Sequence, residues 1–367
     1  RSCLVGSEMC IRDRIKSNSV TFSDGEINVD LPFLWLRDNC QCDECRITET
    51  QEKQFLLHSV PIDIAPKAVN KINDNLIIQW PDKHESVIPI KMIHESTQNR
   101  YPEHKFWPEN YIPEYFDWSN FLGESSTAIA ALSAFLKFGV IILKNAPKES
   151  NSLELLSGRL GPIHETLFER IHNVSVTGHV YNVAHTPKGL PPHNDFASYR
   201  YQPSVQALHM LENECEGGES IIVDGWRLVD DLKTDFPEYF SILKKFRVPF
   251  REFDEDNETY AEEPMIRCNS NGLIESFRFS NQLMQMIDPS RPNVQQFYEA
   301  YHEVSRRVHL DKYRTTFRLN GGEVLIVASL RVLHAREPFI PNGKRHLQDA
   351  YFVHDNIANG YVLLQSK

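Results

Sequence analysis

Any fold open to this chain is constrained first by a long loop that has to close. His193-Asn194-Asp195 lies 139 residues before His334 (334 − 195 = 139), and the three side chains form a known donor set only if the fold brings them together. In an extended strand, side chains at i and i+2 share a face, so His193 and Asp195 are predicted side by side with Asn194 turned away. His334 is read as closing the apolar strand Val324-Leu325-Ile326-Val327. Two imidazoles and one carboxylate are the facial donor set of a non-haem iron(II) centre, which leaves three coordination positions open. Arg345 follows eleven residues after His334 (345 − 334 = 11) and can grip a carboxylate in a two-pronged, charge-assisted pair. Iron with a carboxylate clamp points to 2-oxoglutarate as co-substrate. A His-x-Asp alone would be a weak sign in a chain with 15 histidines; the downstream histidine and arginine give it weight.

A second constraint is Cys40-Gln41-Cys42-Asp43-Glu44-Cys45. Three thiolates so close in sequence face one point only if the backbone curls tightly, and a structural zinc ion with a fourth ligand from elsewhere is the usual reason. Sequence proximity favours His58 as that fourth ligand. A closed four-ligand site has no open position, so its role would be structural.

The segments His193-Asn194-Asp195, Gly217-Gly218-Glu219-Ser220, Val223-Asp224-Gly225, Arg331-Val332-Leu333-His334-Ala335-Arg336 and Arg345-His346-Leu347, with the cysteine cluster, together resemble the γ-butyrobetaine dioxygenase and trimethyllysine dioxygenase family. The resemblance runs from about Leu31 to about Tyr361. It implies an Fe(II)- and 2-oxoglutarate-dependent dioxygenase that uses O2 to hydroxylate a small betaine-like or amino-acid-like molecule. It implies His84, in Trp80-Pro81-Asp82-Lys83-His84, as the fourth zinc ligand. It assigns the far carboxylate of 2-oxoglutarate to Arg345, helped by Asn182 and the backbone near Leu208. Arg336 is a second candidate, with a structural salt bridge as its alternative role. The family holds a trimethylammonium group in an aromatic cage, because aromatic faces attract a quaternary cation. The cage positions fall on Phe168, His172, His185, Phe196 and Tyr351, and the substrate carboxylate on Asn281. Two histidines stand where the family pattern has Tyr or Trp, and a protonated imidazole repels a cation. That puts γ-butyrobetaine in doubt and opens the way to another amine, an amino acid or an anionic group.

The remaining chain is read around these sites. At 367 residues it can form two domains, and a net charge of −11 argues against nucleic acid as a partner. No apolar run is long enough to cross a bilayer, so no membrane partner is expected. Residues 1–14 read as a foreign or disordered extension. Residues 15–100 read as a β-rich zinc-binding domain, with strands Val20-Thr21-Phe22, Ile27-Asn28-Val29 and Leu76 to Trp80. Residues 101–118, rich in aromatics and proline, read as an ordered connector packing on both domains. Residues 119–367 read as the catalytic domain. In it a helix capped by Ser125 or Ser126 runs to Phe138, a strand Val140 to Leu143 follows, and a second helix spans Leu153 to Leu160. A late helix from Pro292 to Val308 carries a core stripe, and Asn320-Gly321-Gly322 turns into the strand before His334. Helices followed by short strands and glycine-rich turns give an α+β, mainly β chain: a double-stranded β-helix, or jelly roll, with flanking helices. A cytoplasmic homodimer is expected, with a mitochondrial setting left open. The competing readings are a dioxygenase of the same family acting on another small amine, a sulfonate or a phosphonate, and a metal-binding regulatory protein with a vestigial site.

Overall fold

A computed structural model describes residues 16–175 and 183–366; the expected extension, residues 1–14, lies outside them. The chain divides into two compact units at Arg100/Tyr101.

In the first unit the hairpin β1 (Ser19–Ser23) and β2 (Asn28–Pro32) leads into helix α1 (Phe33–Asp38). Strands β3 (Ala68–Ile72), β4 (Asn75–Gln79) and β5 (Glu85–Pro89) form an antiparallel sheet, followed by α2 (Ile90–Thr97). Alternate residues of the strands turn inward, so Val20, Phe22, Leu76, Ile78 and Ile88 meet Leu36 and Trp80 in one core. The buried Trp80 indole donates to Ser86 Oγ at 2.9 Å.

The second unit begins with the segment expected as a connector. Trp107 and Tyr111 stack at 4.7 Å and lie in this unit's core. Strand β6 (Tyr115–Asp117) pairs parallel with β7 (Val140–Lys144), with α3 (Trp118–Gly123) and α4 (Ser125–Phe138) between them. The α4 cap differs from expectation. Glu124 is the extended residue at its start, and Ser125 and Ser126 are already helical. Gly139, at φ +76, ends the helix in the left-handed region. The helix expected from Leu153 is a 3-10 turn (Ser152–Leu156) followed by a short α5 (Ser157–Leu160). Then come β8 (His172–Ser175), β9 (Leu190–His193), β10 (Val205–Asn213), β11 (Glu216–Gly217) and β12 (Ser220–Asp224). Helices α6 (Gly225–Asp235) and α7 (Pro237–Lys245) precede β13 (Arg247–Phe253), β14 (Glu258–Pro264), β15 (Ile266–Cys268) and β16 (Ile274–Phe277). The chain closes with α8 (Val294–Arg307), β17 (Arg314–Phe317), β18 (Glu323–Ala328), β19 (Val332–Arg336), β20 (Phe339–Ile340), β21 (Arg345–Phe352) and α9 (His354–Gln365).

Two sheets make the jelly roll: one in the order β6-β7-β18-β10-β21-β8, the other β17-β12-β19-β9. Strand β18 is apolar from Val324 to Ala328 because both its faces are covered. Val324 and Ile326 pack with Leu132, Phe135 and Ile357 of the helices, whereas Leu325 and Val327 meet Ile222 and Val332 of the other sheet. His334 does not close β18. Ser329-Leu330-Arg331 turns the chain out of the larger sheet, and His334 sits within β19 of the smaller one.

A buried ion pair holds that crossing. Asp224 is 0% and Arg331 2% exposed. Arg331 donates twice to Asp224, at 2.8 and 3.1 Å, and to the carbonyls of Lys137 and Lys105. Removing one partner leaves an uncompensated buried charge, at a cost of about 3–5 kcal/mol. We expect Arg331→Met to lose about that much in denaturant unfolding; a loss under about 1 kcal/mol would show the pair is dispensable.

Candidate active site and zinc centre

Strands β9 and β19 run antiparallel with His193 opposite His334, which sets their rings 4.3 Å apart. The strand ends at His193, so Asp195 lies in a turn and not on the expected extended backbone. Asn194 fixes that turn. Its buried amide donates to the carbonyls of Phe277 (2.6 Å) and Ser329 (2.9 Å), and its Oδ1 accepts from the Phe279 amide (2.9 Å). This clamp turns Asn194 away from the site and Asp195 into it.

Asp195 Oδ1 lies 3.2 Å from His193 Nε2 and 3.7 Å from His334 Nε2. Donors about 2.1 Å from one ion and at right angles lie about 3 Å apart, so the three fit one face of an octahedral site. His193 Nδ1 is 2.9 Å from the Pro191 carbonyl, an acceptor, so Nδ1 carries the proton and the Nε2 lone pair faces the site. Asp195 Oδ2 accepts from Gln206 Nε2 and from the Tyr351 hydroxyl, both at 2.7 Å. Those two bonds leave Oδ1 to face the histidines.

A cavity of about 400 Å³ opens over the triad, walled by both sheets. Arg345 and Arg336 both reach it, and their environments differ. Arg336 is committed to backbone, donating to the carbonyls of Ala184, Thr186 and Lys188 at 2.7–3.0 Å, not to a salt bridge. Arg345 is 9% exposed, lies over the Phe339 ring at 5.1 Å, and forms no hydrogen bond or ion pair among the described residues. Burial lowers its pKa to about 10. A buried guanidinium without an anion fits a carboxylate ligand. The Gly217-Gly218 motif shapes this end. Gly217, at φ +81, runs so close to Pro338 that a Cβ would sit 2.7 Å from its carbonyl oxygen. Leu208 on β10 also lines the cavity, and Asn182 lies outside the described residues.

All five expected cage positions line the same cavity. Phe196 packs against Tyr351 at 5.0 Å, Phe168 at 5.9 Å and His172 at 6.2 Å. Asn281 is not brought in. Its side chain is exposed and accepts from the Tyr301 hydroxyl at 2.9 Å, while its neighbours Ser280 and Gln282 line the cavity. Among the polar lining residues not expected from the sequence are Gln206, Glu252 and Asp349. Burial pushes the Glu252 carboxyl up to about 7, and the Asp195 charge adds to it. A signal for Asp349 was available: on β21 it shares the inward parity of Arg345 and Tyr351.

In the first unit Cys40, Cys42, Cys45 and His84 converge. His84 Nε2 lies 3.4, 3.8 and 3.5 Å from the three sulfurs. A tetrahedral zinc with Zn–S about 2.3 Å and Zn–N about 2.0–2.1 Å places S and N about 3.5 Å apart, so the donor set fits. Two turns build it: Cys42 O accepts from the amides of Cys45 and Arg46, and Trp80 N donates to His84 O across the β4–β5 connection. The Arg37 guanidinium donates to Cys45 Sγ at 3.4 Å, as suits a thiolate. His58 is exposed on a separate 3-10 turn and is not part of the cluster.

The family model "Taurine catabolism dioxygenase TauD, TfdA family" matches residues 104–351, and "Gamma-butyrobetaine hydroxylase-like, N-terminal" matches 13–89. The chain is 30% identical to a gamma-butyrobetaine dioxygenase of Pseudomonas sp. (strain AK-1), over 95% of this chain and 93% of that one. It is 25% identical to the mitochondrial trimethyllysine dioxygenase of Homo sapiens, over 90% and 82%. A taurine dioxygenase crystal structure from Burkholderia xenovorans shares the fold at TM-score 0.50 and 15% identity, covering 69% of this chain and 91% of that chain. Fold, donor set and these matches define a 2-oxoglutarate-dependent non-haem iron dioxygenase. Within that class, the chain belongs to the TauD/TfdA family.

Proposed function

We propose that this dioxygenase hydroxylates a small betaine-like or amino-acid-like molecule, with His193, Asp195 and His334 holding iron(II) and Arg345 holding the far carboxylate of 2-oxoglutarate. Bound iron, 2-oxoglutarate and O2 supply the oxidising power to insert one oxygen atom into a C–H bond. The chain's residues supply position and shielding. Gln206 and Tyr351 hold Asp195 in one orientation, and Leu208, Ile221, Leu325 and Leu347 give the cavity apolar walls that exclude water. The cation-seeking rings Phe168, Phe196 and Tyr351 mark where a substrate amine would rest. The gamma-butyrobetaine and trimethyllysine dioxygenases among the relatives support such a substrate. Cys40, Cys42, Cys45 and His84 would hold a structural zinc.

One observation carries the reading: the triad and the unpaired Arg345 open onto one cavity. Losing a buried, hydrogen-bonded charge pair costs about 2–5 kcal/mol. We therefore expect Arg345→Met to raise the 2-oxoglutarate concentration for half-maximal turnover by about thirtyfold or more, at about 1.4 kcal/mol per tenfold. Iron binding should persist. An unchanged 2-oxoglutarate dependence would move the clamp away from Arg345.

We further propose a cytoplasmic homodimer. Among the described residues no helix is long and apolar enough to cross a membrane, which is compatible with that setting. Light scattering at the mass of one chain, or fractionation with an organelle, would overturn it.

A further inference from the structure

Besides Asp195, the cavity holds two carboxyl groups that an aromatic cage does not need, Asp349 and Glu252. Along β21, Arg345, Leu347, Asp349 and Tyr351 all face it, as residues two apart on a strand must. Arg345 stands at one end. Asp349 stands four residues on, about 13 Å away along the strand. Asp349 is 4% exposed. No lysine or arginine pairs with it among the described residues. Its neighbours are the Gln206 amide at 2.8 Å, the Tyr351 hydroxyl and, at 3.7 Å, His172 Nδ1.

His172 is also buried. Its Nε2 lies 3.3 Å from the Thr166 hydroxyl, and its Nδ1 has no hydrogen bond among the described residues. With Nε2 protonated toward Thr166, Nδ1 presents a lone pair beside Asp349 Oδ1. The 3.7 Å between them is too long for a hydrogen bond. In that tautomer two acceptors meet at the cage wall, with no donor between them among the described residues. The aromatic side of the cage is already closed on itself, with Phe196 edge-on to Tyr351. Glu252, with no ion pair among the described residues, adds a further carboxyl group to the cavity. Burial raises the Asp349 carboxyl pKa, as expected where no fixed cation stands beside it.

We propose that Asp349 and His172 make the amine end of this cavity select an ammonium that bears N–H donors, primary or secondary, over a quaternary ammonium. The inference rests on the oxygenase reading of the cavity and chooses the amino-acid-like half of it. An N–H-bearing cation donates to Asp349 Oδ1 and His172 Nδ1 while its charge meets the carboxylate. A trimethylammonium group has no N–H. It leaves both buried acceptors unpaired and shields its charge behind methyl groups, and a site built to hydrogen-bond its ligand rejects an analogue lacking the donor. The imidazole that weakens the cage for a quaternary cation is then an acceptor for a protonated amine.

The test is a methylation series: 4-aminobutyrate, its N-methyl and N,N-dimethyl derivatives, and the N,N,N-trimethyl betaine. Binding to the anaerobic protein loaded with Fe(II) and 2-oxoglutarate is measured by calorimetry, and succinate formation is measured separately in air. Affinity should fall over the last two methylations, which leave one N–H and then none for the two acceptors, by about a hundredfold or more in all. Asp349→Asn should shrink that fall to within about tenfold, and His172→Phe, which restores an aromatic wall, should raise affinity for the betaine. The proposal is overturned if the betaine binds as well as the amines, if the fall survives Asp349→Asn and His172→Phe in folded protein, or if no member of the series binds. Ordered binding without succinate from any member would uphold the amine selection and sink the oxygenase reading. Succinate with the betaine bound best would do the reverse.

Discussion

Asp195→Ala should leave the protein folded and cut 2-oxoglutarate turnover by more than about a hundredfold. The estimate starts from weaker changes: removing a residue that only orients a metal ligand costs about 10–100-fold. Asp195 is more than that. Its Oδ1 is the only carboxylate oxygen within 3.7 Å of both His193 Nε2 and His334 Nε2 among the described residues, so its loss leaves two imidazoles where three donors stood. The structural cost is smaller. The Tyr351 hydroxyl loses its acceptor, while Gln206 Nε2 keeps Asp349 Oδ2 at 2.8 Å. One stranded buried donor costs about 1–3 kcal/mol, which a stable domain can absorb. His193→Ala should behave alike. Gln206→Leu is the control, because it removes one of the two hydrogen bonds to Asp195 Oδ2 and none of the three metal donors, and should fall in the milder range. Full turnover by purified Asp195→Ala would remove the triad from the account.

Cys42→Ser should have the largest effect on stability, and the effect should belong to the first unit. Binding energy at a structural zinc site is folding energy, about 10–16 kcal/mol in small zinc-binding peptides. A domain's whole stability is about 5–15 kcal/mol. The first unit is small, and the cluster ties the end of α1 to the β4–β5 connection, 39 to 44 residues apart in sequence. A serine hydroxyl at Cys42 cannot replace the thiolate 3.8 Å from His84 Nε2. Protein washed free of loose metal should hold about one zinc per chain. The variant should hold much less and show an early unfolding transition, with a smaller change in the chemistry. No zinc in the parent protein, with all three thiols freely reactive, would rule the centre out.

How far the sequence could be read depended on whether a signal was local or depended on the partner element. The iron triad was legible because His-x-Asp and a later histidine are a chemical pattern that survives errors in secondary structure. Two such errors occurred. Asp195 is on a turn, held there by the Asn194 clamp to Phe277, Phe279 and Ser329. His334 is on β19, not at the end of β18, because the Asp224–Arg331 pair turns the chain between sheets. Both depend on residues more than 80 positions away, which periodicity does not see. The fourth zinc position shows the same limit. His58 is nearer in sequence, but a β-hairpin brings His84 back. Asn281 failed for a different reason. Asn281 lies in a turn beyond β16, where its side chain goes outward to Tyr301 and its neighbours Ser280 and Gln282 line the cavity. Asp349 was missed although its parity with Arg345 and Tyr351 was readable, because a lone aspartate in a strand carries no motif.

The most direct test of the account is the fate of oxygen. Purified protein with Fe(II), 2-oxoglutarate and a bound amine, supplied with 18O2, should form succinate carrying one 18O atom and a hydroxylated amine carrying the other, in equal amounts, with CO2 released. Asp195→Ala should form neither. Iron-dependent succinate without label, or none with any amine of the methylation series, would contradict the assignment of this cavity as the site of a 2-oxoglutarate-dependent hydroxylation.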